Sequence, residues 1–569
     1  MGETLPDINA VRAGQTGSSG SSDERGRVSS AARVVAGMTT VSRVAGLARD
    51  AAISAVFGTG LGADAFFVAF RIPNLMRRVV AEGATSAAFV PVFTDSLAAG
   101  GRPAAIRAAA AVGGAAVLVL AFLTLAGMAA SGALTTLFAP GFSGDPAKAA
   151  LTASLTRWTF PYLLLVGSAA WAMGVHHTFR NFALPAAGPV LMNLSMIAFA
   201  LGAAPWMEAP AWALVAGVVV GGLAQVLLQL PSLWKYGLRA AMFVDLGHPA
   251  VGRCGGLMLA ALLGGSVYQV NVLLATVFAS VLPAGTVSYL WYADRLFEFP
   301  LGIVAVAVGT AALPSLSSQA ARRHFDGMGE TVVHAMSLTI AFCLPAAVGL
   351  MLLAHDITEL LFERGSFVAA DTAMTAWALQ ASVPGLLGVG LVRVLSAAFF
   401  ALERTRVPVA AGLFTMLVNA LLSIALMGPG EPGTAWWGAA ALASLQAAIG
   451  IADLRHAGLA LAAALSATAN AVILLLLLRR ALPRLPLARL GRPLLQHAAA
   501  AAAMAGVVLG WIHVASPWSF AGAVAVRVGV GVGLGLASYF VAAIALGSRE
   551  VKELGSRRVG AAAARVSRS

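Results

Sequence analysis

Arg43, Arg49, Asp50, Arg71, Arg77, Arg78 and Glu82 stand inside two long apolar stretches between Val41 and Phe93, which meet at a Gly-rich turn, Gly58–Gly62. A guanidinium is a planar fork of donors that makes paired, charge-assisted hydrogen bonds to carboxylate or phosphate. On a soluble helix such a set is an ordinary solvated face. In lipid each Arg costs roughly 2.5–3.5 kcal/mol at a helix centre, so a cluster must line a wet cavity or meet an anion. Two later stretches join it: GSVYQVN, at Gly265–Asn271, and YADRLFEFP, at Tyr292–Pro300, which brings Arg295. Taking the helical rise, Arg43 lies roughly 15 Å into the first apolar stretch and Arg77 roughly 20 Å from the far end of the second. Arg49 lies deeper than Arg43, and Arg295 lies roughly 14 Å from the end of its own stretch. Arginines from distant parts of the chain therefore reach the middle third of a bilayer.

Acidic and polar neighbours accompany them. Asp50 falls on the Arg43 face at i+7, Glu82 is i+4 from Arg78, and Asp294 directly precedes Arg295. Asn74 completes the polar set. One reading is that these are internal ion pairs that hold helices together. The other is a cationic surface left for a ligand to neutralise, and a diphosphate head group is the natural guess. The arginines outnumber the acids, which favours the second.

Whether the elements carrying these residues lie in lipid follows from composition. The chain has 569 residues, 59% of them hydrophobic and only 11% charged, with a mean hydropathy of +0.85. Soluble domains carry about 25% charged residues. Apolar runs recur along the whole length, and about fourteen are long enough to span a bilayer as helices. The expected fold is all-α and polytopic, because backbone groups in hydrocarbon must be satisfied within the segment. A net charge of +13 would suggest nucleic acid in a soluble protein. Here Lys and Arg sit mostly in short loops and at the tails, so orientation in the membrane explains them and no nucleic-acid partner is expected.

Placing both termini in the cytoplasm puts the basic loops on one side, from Arg102 and Arg107 through Arg322 and Arg323 to Arg479–Arg492. The other side keeps Lys148, Arg364 and Arg455, as the positive-inside rule requires. An internal repeat appears at an offset of about 223 residues: Phe160-Pro161 with Val383-Pro384, Arg180 with Arg404, and Pro185 with Pro408. Parallel repeats place a substrate site between two lobes near the midplane. The expected organisation is a disordered tail (1–30), two pseudo-symmetric six-helix lobes (31–240 and 241–480), two further helices (481–547) and a basic tail (548–569). Residues 430–456 look like an insertion with a short helical piece at Gly438–Ala452.

Other features carry duller readings. The run Gly529, Gly531, Gly533 and Gly535 lies in an apolar span and follows no strand, so it suits helix packing and not nucleotide binding. His176 and His177 are expected at a membrane interface. Cys254 and Cys343 have no metal-ligand spacing. No Walker motif, HExxH or nucleophile elbow occurs, so the chain is not expected to be an enzyme, and no cofactor or metal is called for beyond a possible coupling ion.

The stretches SRVAGLARD, DAFFVAFRIPNLMRRVVAEGA, SAAFVPVF and YADRLFEFPLGIVAVAVGTAALPSLS resemble the MurJ/MviN lipid II flippases of the MOP transporter superfamily. FPYLLLVGSAAWAMG, LFERGSF with Asp371-Thr372, and HAGLALAAALSATANAVILLLLLRR match more weakly. The likeness covers residues 31–480, and the last two spans agree in number only. It implies two six-helix lobes plus two helices that groove an undecaprenyl tail. It also implies export of lipid-linked peptidoglycan precursor across the cytoplasmic membrane. By the same resemblance the transport arginines are Arg43, Arg49, Arg77 and Arg295, with acidic partners at Asp50, Asp64 and Asp294. Some relatives carry a large C-terminal cytoplasmic extension, and its regulation is expected to be absent here. Lipid II and membrane lipids are the implied partners, with cell-wall synthases as further candidates. The rivals are a flippase for another polyprenyl-diphosphate glycan, a cation-coupled drug antiporter, and a non-transporting cell-wall scaffold.

Overall fold

The computed structural model describes residues 20–77, 84–238, 245–431, 438–482, 484–520 and 522–552, and gives 20–36, 84–87, 260–268 and 303–311 as backbone only. Apart from an isolated bridge between Met427 and Asp453, every regular element among the described residues is a helix. The first half supplies α1 (Gly20–Phe57), α2 (Leu61–Arg77), α3 (Ala84–Ala129), α4 (Ser131–Phe138), α5 (Pro146–Thr159), α6 (Pro161–Thr178), α7 (Ala183–Gly202) and α8 (Ala211–Tyr236). The second supplies α9 (Pro249–Ser280), α10 (Thr286–Ala321), α11 (Phe325–Phe362), α12 (Ala369–Ser382), α13 (Gly385–Ala401), α14 (Arg406–Leu426), α15 (Ala439–Ile449) and α16 (Arg455–Ala481). Two more follow, α17 (Ala488–Ala515) and α18 (Ala523–Ala545).

Nine helical segments among the described residues are long and apolar enough to cross a membrane, and α12–α13, bent by 44°, makes a tenth. The remaining expected spans are α1, α2, α9 and α10. α1 carries Arg43, Arg49 and Asp50 close together, and α2 is described up to Arg77. α9 and α10 each include residues given as backbone only, and their sequences around these, GLMLAALLGG and GIVAVAVGTAAL, are apolar. α1 begins at Gly20, inside the stretch expected to be a disordered tail. Ser21, Ser22, Asp23 and Glu24 are residue types that favour a helix start.

The repeat is visible in the backbone. α5 and α6 break at Phe160-Pro161, and α12 and α13 break at Val383-Pro384. Arg180 and Glu403 both turn left-handed at φ 59°. The N–H groups of Arg180 and Asn181 bond the carbonyls of His177 and His176, as those of Glu403 and Arg404 bond Phe400 and Phe399. The inserted α15 then displaces the counterpart of α8.

One apolar core joins the two halves at the end of the bundle that holds the α1–α2 turn. Phe67 of α2 stacks on Trp291 of α10 at 4.6 Å and meets Tyr292 edge-on at 5.5 Å. Tyr292 continues to Phe362 and Phe367. At the opposite end Ala250 and Cys254 of α9 pack with Phe89, Phe93 and Trp171 of the first half, and Arg253 pairs with Asp95 at 2.7 Å on the surface. Cys254 and Cys343 are buried free thiols. His176 is fully buried, its ring packed edge-on against Tyr236.

α17 and α18 lie on α11. Gly531 and Gly535 give the close approach expected of them, to Trp511 and Leu353 and to Met504 and Val508. At the turn end Arg527 meets Asp356 at 3.3 Å and Glu359 at 2.9 Å. At the other end His497 contacts Tyr539 at 2.8 Å and Ser548 at 3.4 Å, and Glu550 accepts from Ser337 and Ser548. Ser548, Glu550 and Val551 are buried, so the tail expected to begin at 548 is first packed against α11.

Candidate functional site

Arg43 leaves α1 and lies against α10. A Cβ on Gly302 would sit 1.9 Å from its Nη1 and 2.5 Å from its Cζ, so glycine is needed there for the guanidinium to lie flat on the helix. Nearly two turns further along α1, Arg49 donates to both carboxylate oxygens of Asp50, with contacts of 2.8 and 3.0 Å, and through Nη1 to Asn193 Oδ1 at 3.0 Å. Asn193 in turn donates to the Ser42 carbonyl at 3.1 Å, which ties α7 to α1. Asp50 was expected on the Arg43 face; its carboxylate turns instead to the adjacent Arg49 and is buried. Asn193 is the residue the sequence reading missed, a buried amide in an otherwise apolar span.

Arg77 donates from Nε to Asn74 Oδ1 at 2.8 Å within α2. On the same helix Arg71 donates to Thr276 Oγ1 of α9 at 2.8 Å and lies over the Trp291 ring at 5.5 Å. Arg295 lies over that ring at 4.8 Å and pairs with Glu298 at 3.1 Å. Glu298, one turn on, is thus a carboxylate partner of Arg295 that the sequence reading did not select, while Asp294 is exposed. Arg78 and Glu82 lie outside the described residues. Arg43 of α1 and Arg71 of α2 thus reach α10, Arg43 at Gly302 and Arg71 at Trp291, where Arg295 of α10 itself also lies.

Asp64 is not beside the arginines. It begins α2 at the turn end, buried, and accepts from Lys148 Nζ at 2.8 Å, Gly285 N at 2.9 Å, Ser288 N at 3.0 Å and Ser288 Oγ at 2.7 Å. Lys148, expected in an exposed loop, is buried because this carboxylate and the Phe142 ring, 4.1 Å away, receive its ammonium. A second set of bonds joins the same end. Thr59 donates to Asp371 at 2.6 Å, Tyr289 to Asp371 at 3.2 Å, and Tyr292 to the Gly58 carbonyl at 3.2 Å. Ser366 donates through its N–H to the Ala55 carbonyl at 2.8 Å. Gly58 and Gly365 adopt φ of 56° and 60°, and a Cβ on either would strike the facing backbone carbonyl at 2.4 or 2.2 Å. Only glycine lets the α1–α2 turn and the α11–α12 loop close to this distance. The chain therefore holds two separate sets of contacts: Arg43, Arg71 and Arg295 placed along α10, and a hydrogen-bonded closure at the turn end.

A family model described as lipid II flippase MurJ matches residues 53–528, a region that begins after Arg43, Arg49 and Asp50. The probable lipid II flippase MurJ of Vibrio cholerae is 38% identical over 401 residues, covering 68% of this chain and 76% of the relative. Among solved structures, lipid II flippase MurJ in an inward closed conformation superposes with a TM-score of 0.71 at 22% identity, covering 89% of this chain and 97% of that one. A multidrug resistance MATE family transporter of the MOP superfamily, inward-facing, shares the fold at a TM-score of 0.56 and 13% identity, covering 79% of this chain and 94% of that one.

Proposed function

Because the chain belongs to the MurJ family of lipid II flippases, we propose that it carries lipid II from the inner to the outer leaflet, holding the diphosphate on the arginines between its halves. The supporting observation is Arg43, which crosses from α1 to lie on Gly302 of α10 on the helix that also presents Arg295. A group bound there touches both halves at once, which is what alternating access between two repeats requires. Arg43, Arg49, Arg77 and Arg295 are the proposed diphosphate ligands. Asp50 and Asn193 hold the Arg49 fork, and Asn74 holds the Arg77 fork. Asp64 acts at a distance, through the closure it makes with Lys148 and the start of α10.

In this scheme the termini are cytoplasmic, the α1–α2 turn is external, and the closure around Asp64 and Asp371 seals the outer side while cargo loads from within. Rocking of the two repeats breaks those bonds and opens the chamber outward. The sugar and peptide cross through the wet chamber while the polyprenyl tail stays in lipid along α17 and α18. A negative interior drives anionic cargo outward and returns the empty cationic chamber, each charge gaining about 2.3 kcal/mol per 100 mV. The scheme asks for no cofactor, and the synthases that consume exported precursor are the natural partners. Depletion of the protein is expected to accumulate lipid II on the inner leaflet. Arg43→Ala and Arg295→Ala proteins at normal abundance are expected not to relieve that accumulation. Undiminished export by either variant would falsify the assignment of the site.

A further inference from the structure

We propose that Trp291 is a positioning residue of this anion site: an aromatic plate that holds one guanidinium from each half, Arg71 of α2 and Arg295 of α10. The proposal rests on the arginine cluster being the diphosphate site, and it adds Arg71 to the groups that recognise the cargo.

Four observations carry it. Arg295 lies over the indole at 4.8 Å and Arg71 at 5.5 Å, both within the range of a cation–π contact. The plate is fixed, because Phe67 stacks on it at 4.6 Å with the planes 16° apart and Phe70 meets it edge-on at 6.2 Å. Trp291 is only 5% exposed, so the ring works in a medium of low dielectric. Its Nε1 is buried and has no hydrogen-bond partner among the described residues. An unbonded indole N–H is a cost that Phe or Leu would avoid in a purely packed position. The broad π face, not the N–H, is what this position uses.

The physical role follows from the charges. Two guanidinium groups brought together away from bulk water repel each other strongly. Glu298 relieves part of this repulsion on the Arg295 side, but a carboxylate also competes with phosphate for the same donors. The face of an indole carries partial negative charge without taking up the N–H donors. Trp291 thus receives an arginine from each half while their donor edges stay directed to other acceptors, as Arg71 shows in its bond to Thr276 and Arg295 in its pair with Glu298.

The test uses the full chain in proteoliposomes, with lipid II binding and flipping measured on the same preparations. Trp291→Leu is expected to weaken binding by about tenfold and Trp291→Phe by no more than about threefold. Arg71→Gln is expected to weaken binding, and Trp291→Leu/Arg71→Gln to weaken it less than the product of the two single losses. Site-specific fluorinated tryptophans at 291 keep the shape and weaken the face. Binding should fall stepwise with fluorination, and this series decides alone if Trp291→Leu does not fold. Equal losses for Phe and Leu, multiplicative losses in the double variant, or a flat fluorination series would overturn the plate. Arg295→Gln separates the two levels. If it binds lipid II as the parent does, the diphosphate site itself is misplaced; if it fails to bind while Trp291→Leu is unaffected, only the plate is wrong.

Discussion

Thr59 donates a 2.6 Å hydrogen bond to Asp371, a residue 312 positions further along the chain. The acceptor oxygen also receives Tyr289, and its partner oxygen receives the Val368 N–H at 3.0 Å. One carboxylate thus caps α12 and fastens the turn between α1 and α2. Asp371→Asn should weaken this closure by about 1–3 kcal/mol, since hydrogen bonds to a charged group are worth more than neutral ones. Spin labels at Gly60 and Arg364 should report a larger separated population in Asp371→Asn than in the parent. An unchanged distance distribution would show that the bond is incidental.

Lys148 and Asp64 form a buried pair, in which removing one partner strands the other. Lys148→Met should cost about 3 kcal/mol, because the Asp64 carboxylate keeps only its Gly285 and Ser288 donors. Adding Asp64→Asn should recover part of that loss. Thermal unfolding in detergent ranks the three proteins. A double variant less stable than Lys148→Met would contradict the pairing.

Gly302 offers a way to move a proposed ligand without touching it. The atoms that a new Cβ would strike belong to the far end of the Arg43 side chain, which can swing aside at little cost to the fold. Gly302→Ala is therefore expected to keep the parent's abundance and melting behaviour while flipping falls by about tenfold, the loss of one well-placed charged hydrogen bond. Normal flipping in this variant would remove Arg43 from the site.

Glu550 ties the end of α18 to α11. Burial pushes its carboxyl pKa up, but the hydrogen bonds from Ser337 and Ser548 and the nearby His497 outweigh it and hold the carboxyl below its ordinary range. A group with a depressed folded pKa contributes stability above its unfolded value and loses it as pH falls through the folded one. Acidification below about pH 4 should therefore raise hydrogen exchange at residues 546–552. Glu550→Gln should show raised exchange already at neutral pH, with little further response to acid. Equal acid sensitivity in parent and variant would place the titrating group elsewhere.

Much of this was legible in the order of residues. Apolar runs of bilayer length set an all-helical membrane fold, because hydrocarbon offers no other partner to a backbone amide. The repeat of Pro161 at Pro384 anticipated two matching helix breaks. Arg43, Arg49, Arg77 and Arg295 stood out because a guanidinium inside an apolar run needs a reason. What the sequence alone could not supply was the partner of each charge. Asp50 had both Arg43 and Arg49 within reach along one helix, and only the rotamers adopted beside Asn193 of α7 gave it to Arg49. Lys148 read as a loop charge because nothing local reveals a carboxylate 84 positions away. Trp291 carried no signal of its own, because an aromatic in an apolar stretch looks the same whether or not a cation lies over it. Pairing across helices depends on how the two halves meet, and that contact is made in three dimensions between segments whose spacing along the chain carries no trace of it.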